Sequence, residues 1–179
     1  MAVIRRKSRL TAENNNNVNI INTAKSLLNY ASKKKINTDP LDLEALASHL
    51  EIKIEKIKFQ NDISGMFFKK NNAYIIQINS LHHPRRQRFT LAHELAHFCL
   101  HKHLNTKFED IIFFRGGNQS IEETQANNFA SDLIMPEEKF KQAVSQGENS
   151  IEQLSDLFEV SSLAVRVRAK QLGFTGHGL

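Results

Sequence analysis

Cysteine is nearly absent from this chain of 179 residues, in which Cys99 is the only thiol. A single thiol excludes a disulfide within the chain and is typical of proteins in a reducing compartment. Long apolar runs are absent too, since no stretch approaches the roughly 20 residues that span a bilayer. The start, MAVIRRKSRL, has basic side chains but no apolar segment behind them, which argues against a secretory signal. We therefore predict a soluble, cytoplasmic protein.

The chain is basic, with a net charge of +5 and a pI near 9.4. Much of the excess lies in the first nine residues and at Lys33, Lys34 and Lys35. Basic segments bind nucleic acids by neutralising phosphates, but they also keep an ordinary surface solvated. We favour the second interpretation for these residues.

The first half of the chain is predicted to form a tail, two helices and three strands. Residues 1–17 end in an asparagine tract without apolar spacing, which predicts a flexible tail. Helical spacing begins at Val18, and Pro40 suits the first turn of a second short helix. Three strands are predicted at 52–57, 63–68 and 73–79, with a hairpin turn at 69–72.

The second half is mainly helical. A helix of about five turns is predicted after Pro84. A polar loop with Gly116 and Gly117 follows, and a further helix runs from near Ser120 until Pro136 stops it. Helices around one small three-stranded sheet make an α+β fold.

The segment His93-Glu94-Leu95-Ala96-His97 carries the strongest functional signal. Residues four apart on a helix share one face, so both imidazoles can reach the same Zn²⁺. Glu94 follows the first histidine directly, which is where a zincin places its general base. We therefore predict a metal site with His93 and His97 as ligands and Glu94 as the catalytic base.

Spacing alone leaves the third ligand open. His101 lies one turn further along the helix, and His103 has the offset of a third metzincin histidine, although that pattern requires glycine where Leu100 stands. Glu122 and Glu123 open the later helix, as in a His₂Glu site. For Glu123 the competing role is a capping box with Ser120, and for Glu122 a surface charge at the helix start.

Beyond this motif the chain resembles the ImmA/IrrE family of metallopeptidases from about Ala24 to Phe174. The matching segments, in order along the chain, are 39–47 (DPLDLEALA), 64–65 (SG), 86–97 (RQRFTLAHELAH), 100–101 (LH), 123–130 (ETQANNFA) and 133–136 (LIMP). The resemblance implies that Glu123 is the third ligand. It also implies a minimal gluzincin fold, in which the small sheet lies beside the HExxH helix.

The resemblance further implies a zinc-dependent endopeptidase that cleaves or inactivates a helix-turn-helix repressor of a mobile-element or stress-response operon. Imidazole and carboxylate ligands also accept Mn²⁺ or Fe²⁺. The alternative is a toxin-like or DNA-binding partner of such a repressor, acting by binding rather than proteolysis. For the oxyanion of the reaction, His101, His103 and Tyr74 are candidates, and the strand at 63–68 is expected to be an edge that pairs with substrate.

The carboxyl end is predicted to form two helices in a helix-turn-helix arrangement, which several family members share. Ser150 and Gln153 form a capping box. The apolar face of the first helix is predicted to consist of Leu154, Leu157 and Phe158, and that of the second of Leu163, Ala164, Val167 and Leu172. The second helix would expose three basic residues to phosphates: Arg166, Arg168 and Lys170. We favour packing of this pair on the core, which divides the chain into a tail (1–17), a metallopeptidase domain (18–147) and a helix-turn-helix-like segment (148–179).

Overall fold

The structure, a computed structural model, describes residues 21–60, 63–102, 108–111, 120–148 and 150–174, with only the backbone pairing given for 108–111. The predicted tail, the loop at Gly116 and Gly117, and His103 lie outside the described residues. Within these ranges the chain forms seven helices and four strands, so the predicted α+β class is confirmed. None of the helices described is long and apolar enough to cross a membrane.

Two short helices precede the sheet. Helix α1 (Ala24–Lys33) starts with a capping box between Thr23 and Ser26. Helix α2 (Leu43–His49) starts after Asp42, whose carboxylate accepts a hydrogen bond from the backbone N–H of Ala45 at 2.9 Å. The prediction that Pro40 lies in the first turn of this helix is therefore wrong, because the Asp42 carboxylate satisfies the free N–H groups and sets the start.

The sheet is mixed, with the strand order β1-β3-β2-β4. Strand β1 (Ile52–Ile57) runs parallel to β3 (Ala73–Asn79), and β2 (Ile63–Lys70) runs antiparallel to β3 and to β4 (Phe108–Ile111). The three expected strands are present, and β4 is a short addition. Because β4 pairs with the outer side of β2, the expectation that β2 is an edge strand is wrong.

The predicted hairpin between β2 and β3 turns at two asparagines. Asn71 and Asn72 have φ angles of 49° and 66°, in the left-handed region that asparagine tolerates better than most residues. Two consecutive left-handed residues match the twist of the flanking strands. The turn sets the register in which Lys70 faces Ala73 and Gly65 faces Ile78.

Helix α3 (Pro84–His101) lies against β2 and β3, and α4 (Ile121–Ile134) packs along α3. Pro84 occupies the first helical position, where its missing N–H costs no hydrogen bond. From Thr90 to Cys99 every side chain of α3 is buried. A helix enclosed all round can hold polar groups there only if they are paired or bind a ligand.

Three helices complete the chain: α5 (Glu137–Ser145), α6 (Ile151–Leu157) and α7 (Ser162–Gln171). The capping box of Ser150 and Gln153 is present at the start of α6. Two arginines of α3 form hydrogen bonds with this part of the chain. Arg85 donates to the Ser155 hydroxyl at 2.7 Å, and Arg88 donates to the backbone carbonyl of Phe158 at 3.3 Å. Helix α6 and the residue that follows it thus contact the helix that carries the HExxH motif.

The buried faces of α6 and α7 differ in part from the predicted ones. Ala164 is buried as predicted, whereas Leu157 is 44% exposed. Leu163 and Val167 are 45% and 40% exposed, whereas Arg168, expected to be available for phosphates, is only 5% exposed. Its guanidinium donates to the carbonyl of Met135 at 3.0 Å and pairs with Asp132 at 2.7 Å. The face that packs on the core is formed by Ala164, Val165, Arg168 and Ala169.

Candidate metal centre

The two histidines of the HExxH motif lie in the enclosed part of α3. His93 is 0% and His97 1% exposed, and their rings stand one turn apart with centroids separated by 4.6 Å. Their Nε2 atoms approach each other to 2.9 Å. The helix therefore directs both rings toward one point, as the spacing predicts.

Glu123 reaches the same point from the first turn of α4. Its carboxylate oxygens lie 3.2 Å from Nε2 of His93 and 3.2 Å from Nε2 of His97. His93, His97 and Glu123 are the group of potential metal ligands found among the described residues. The structure thus brings together the three residues named as ligands from the resemblance.

The first turn of α4 assigns the cap and the contact with the imidazoles to different residues. The Ser120 hydroxyl accepts a hydrogen bond from the backbone N–H of Glu123 at 3.2 Å, so the serine caps the helix as predicted. The Glu123 carboxylate contacts the imidazoles. The Glu122 carboxylate forms hydrogen bonds with its own backbone and with Ser120 at the start of the helix. These hydrogen bonds lower the pKa of its carboxyl group.

The donor set fits a tetrahedral divalent metal. Four ligands placed about 2.0–2.1 Å from zinc lie about 3.3–3.4 Å from one another. The observed separations of 2.9 Å and 3.2 Å among His93, His97 and Glu123 are close to that edge length. Two imidazoles and a carboxylate on two packed helices also match the His₂Glu set of catalytic zinc sites.

Burial and mutual contact put His93 and Glu123 in the protonation states that metals require. Burial lowers the pKa of His93 to about 4, against the opposing effect of its hydrogen bond with Glu123. Burial would raise the pKa of Glu123, but hydrogen bonds with His93 and His97 reverse the direction and lower it. At neutral pH the centre therefore combines a neutral His93 with an anionic carboxylate, the forms that bind metal.

Glu94 is buried beside β2. Its carboxylate is so close to Gly65 that a Cβ atom there would lie 3.0 Å from Oε1 of Glu94 and 2.5 Å from Cγ2 of Thr90. Glycine at this position allows the strand to approach the helix next to the proposed base. The sequence contains one signal for this role of Gly65, because a glycine inside a strand often marks a close backbone approach.

Two other candidates from the sequence, His101 and Tyr74, are not members of this ligand group. His101 places Nδ1 3.0 Å from Nδ1 of His97, on the side of that ring facing away from Glu123. Tyr74 stacks on Phe67 and meets the edge of Phe98, and the Lys69 ammonium lies 5.2 Å from the centre of its ring. Sequence reasoning missed Gln125, whose Oε1 lies 3.2 Å from Nε2 of His101.

The chain is similar to known metallopeptidases. Residues 47–170 match the family described as IrrE N-terminal-like domain, Peptidase_M78. This match runs across the predicted boundary at 147/148. Over 106 residues the chain is 36% identical to a protein of Bacillus subtilis (strain 168) named "Metallopeptidase ImmA". The aligned part covers 59% of this chain and 60% of that relative.

Proposed function

The chain belongs to the IrrE N-terminal-like domain family, Peptidase_M78, and we propose on this basis that it is a zinc-dependent metalloendopeptidase. In this proposal His93, His97 and Glu123 bind the metal and Glu94 is the catalytic base. The observation that carries it is the convergence of three ligand atoms, from α3 and α4, within 4.8 Å of one another. Zinc is proposed over Mn²⁺ or Fe²⁺ because a tetrahedral His₂Glu set is characteristic of zinc peptidases.

A bound zinc ion supplies Lewis-acid polarisation of the scissile carbonyl and lowers the pKa of water. The protein supplies the proton transfers and the positioning. The Glu94 carboxylate accepts a proton from the attacking water and delivers it to the nitrogen of the leaving amine. Its burial against β2 and α3 keeps the carboxylate in one orientation between these two steps.

As the substrate we propose a helix-turn-helix repressor, whose inactivation releases a mobile-element or stress-response operon. The support is the family resemblance of the sequence segments around the metal centre. A repressor encoded next to the gene for this chain is the first substrate to test. Cleavage would be followed by electrophoresis and mass spectrometry of the fragments, with and without a chelator.

The role of Glu94 is tested by Glu94→Gln. We expect this variant to retain metal at the level of the unmodified chain and to lose cleavage by at least about a hundredfold, the lower range for a general base. The amide is close in size to the carboxylate but cannot accept the proton. Normal cleavage by a Glu94→Gln protein that contains metal would refute the base assignment.

The surface of α6 and α7 favours a second candidate function, recognition of a partner by binding. Arg166 and Lys170 are exposed on α7 beside Leu163 and Val167, while Asp156 of α6 is paired internally with Arg85. The proposed DNA contact is thus reduced to Arg166 and Lys170, since Arg168 is buried. A salt-dependent gel shift with duplex DNA would support DNA binding, and a stable uncut complex with the repressor would support a toxin-like partner role.

A further inference from the structure

The second ring nitrogen of His97 leads away from the metal centre into a chain of hydrogen bonds. Nε2 of His97 faces Glu123 at 3.2 Å, while Nδ1 lies 3.0 Å from Nδ1 of His101. On the far side of His101, Nε2 lies 3.2 Å from Oε1 of Gln125. The chain begins at a proposed ligand on α3 and ends on α4, two residues beyond the proposed ligand Glu123.

The Gln125 amide determines which ring nitrogens of His101 and His97 carry protons. The structure turns the carbonyl oxygen of Gln125 toward Nε2 of His101. Since a carbonyl oxygen can only accept, Nε2 of His101 carries the proton in this arrangement. In a neutral His101 the other nitrogen, Nδ1, is then an acceptor. The Nδ1 of His97 therefore carries a proton and donates it to His101, which leaves the Nε2 lone pair of His97 directed at the metal centre.

We propose that His101 and Gln125 are positioning residues that hold His97 in its metal-binding tautomer and ring orientation. This rests on the proposed function, because it assigns a role relative to the metal centre. Metal-binding histidines usually donate their second N–H to an outer partner, and that partner fixes the tautomer. Here the outer partner is itself a histidine, which needs Gln125 to define its own tautomer.

Burial makes the inner hydrogen bond the stronger part of the chain. His97 is 1% and His101 5% exposed, so water does not compete for the contact between the rings. Gln125 lies on the exposed side of α4, where water can partly replace its oxygen. The loss of His101 should therefore weaken metal binding more than the loss of Gln125.

His101→Leu and His101→Gln separate hydrogen bonding from packing. Leucine fills the space without an acceptor, whereas the amide oxygen of glutamine can accept from Nδ1 of His97. We expect His101→Leu to weaken Zn²⁺ binding by about 10–100-fold, the range typical of outer partners. His101→Gln should recover most of that loss. Affinity would be measured by competition with a chromophoric chelator, and ligand geometry by the visible absorption of the Co²⁺-loaded protein.

Gln125→Leu tests the outer link. We expect it to weaken Zn²⁺ binding less than His101→Leu does, and the double variant to bind no more weakly than His101→Leu alone, because Gln125 acts through His101. His49→Leu, a replacement of an exposed histidine at the end of α2, is the matched control and should leave affinity unchanged. Circular dichroism of the metal-free proteins confirms that each variant is folded.

The possible failures are distinguishable. Unchanged affinity in His101→Leu, no recovery in His101→Gln, or additive losses in the double variant would each overturn the positioning role while leaving the metal centre intact. If the unmodified chain itself did not bind Zn²⁺ in a one-to-one ratio, the proposed function would fail, and this assignment with it.

Discussion

Two regions of this molecule bury ionisable side chains, and they do so in opposite ways. At the contact of α7 with the core, the buried Arg168 meets a carboxylate, Asp132, and a backbone carbonyl. At the metal centre, two imidazole nitrogens and a carboxylate converge on one another across 2.9–3.2 Å. The first region already contains both charges of its ion pair, whereas the second concentrates electron-pair donors as a cation site does. The comparison indicates that one arrangement supports the fold and that the other is suited to bind a metal.

Removal of a single donor from the metal centre should have the largest effect. Glu123→Ala is expected to weaken Zn²⁺ binding by more than the roughly 10–100-fold seen for outer partners, because a direct ligand is lost. Glu122→Ala, next to it on the exposed first turn, and His103→Ala should retain metal. Metal analysis of the purified proteins measures this difference. Metal loss in His103→Ala with retention in Glu123→Ala would select the metzincin-like alternative instead.

Acid should lower the free energy of unfolding of the metal-free protein. Burial places the pKa of His93 at about 4, below the ordinary value of 6.5. Between these values the unfolded chain binds more protons than the folded one, so the free energy of unfolding must fall as the pH falls. For this one group the loss is on the order of 3 kcal/mol between pH 7 and pH 4. Urea titrations of the chelator-treated protein across this range would detect it, and a flat profile would contradict it.

The ion pair of α7 should respond to mutation without any effect on metal. Asp132→Ala leaves the buried Arg168 without its carboxylate. Because the Asp132 side chain is 55% exposed, we expect the loss in the free energy of unfolding to be smaller than for a fully buried pair, about 2–3 kcal/mol. Arg168→Met removes the charge and keeps an apolar side chain of similar length, so it should cost less than Asp132→Ala. Both variants should bind Zn²⁺ normally. A weaker metal affinity in either would show that the two regions are coupled.

The smallest effect on stability is expected at Gly65. Gly65→Ala adds a Cβ against Thr90 and Glu94, and overpacking of this kind costs about 1–3 kcal/mol. Thr90→Ser removes the methyl group at 2.5 Å, so the double variant should regain stability while the contact with Glu94 remains. The contact of the added Cβ with Glu94 should impair cleavage in Gly65→Ala, and cleavage should remain impaired in the double variant. Recovery of both properties would show that Gly65 serves packing alone.

The parts of the fold that local chemistry determines were predictable from the sequence. The Asn71–Asn72 turn, the Ser120 cap and the HExxH helix each follow from a few adjacent residues, and the structure has them. The third ligand was not predictable from spacing, since Glu122 and Glu123 both suit the first turn of a helix. Only the packing of α4 on α3 turns Glu123 toward the imidazoles.

The orientation of α7 was unpredictable for a related reason. Its sequence has apolar residues on two faces, Leu163 and Val167 on one, Ala164, Val165 and Ala169 on the other. Periodicity does not choose between two such faces, and the predicted apolar face combined Leu163 and Val167 from the first with Ala164 from the second. The small residues permit close approach to the core, and the long Arg168 side chain reaches the Met135 carbonyl from that side. The strand β4 and the role of Gln125 depend on contacts distant in sequence and had no local signal.

The hydroxyl of Ser120 anchors the backbone of the residue whose carboxylate faces the two imidazoles. The first turn of α4 is therefore ordered by a hydrogen bond that does not involve a metal. An ion entering this centre meets donors that are already in place, so its capture involves little loss of chain entropy. We therefore expect metal to exchange at this centre while the protein remains folded, unlike in a zinc finger, where loss of the ion unfolds the chain.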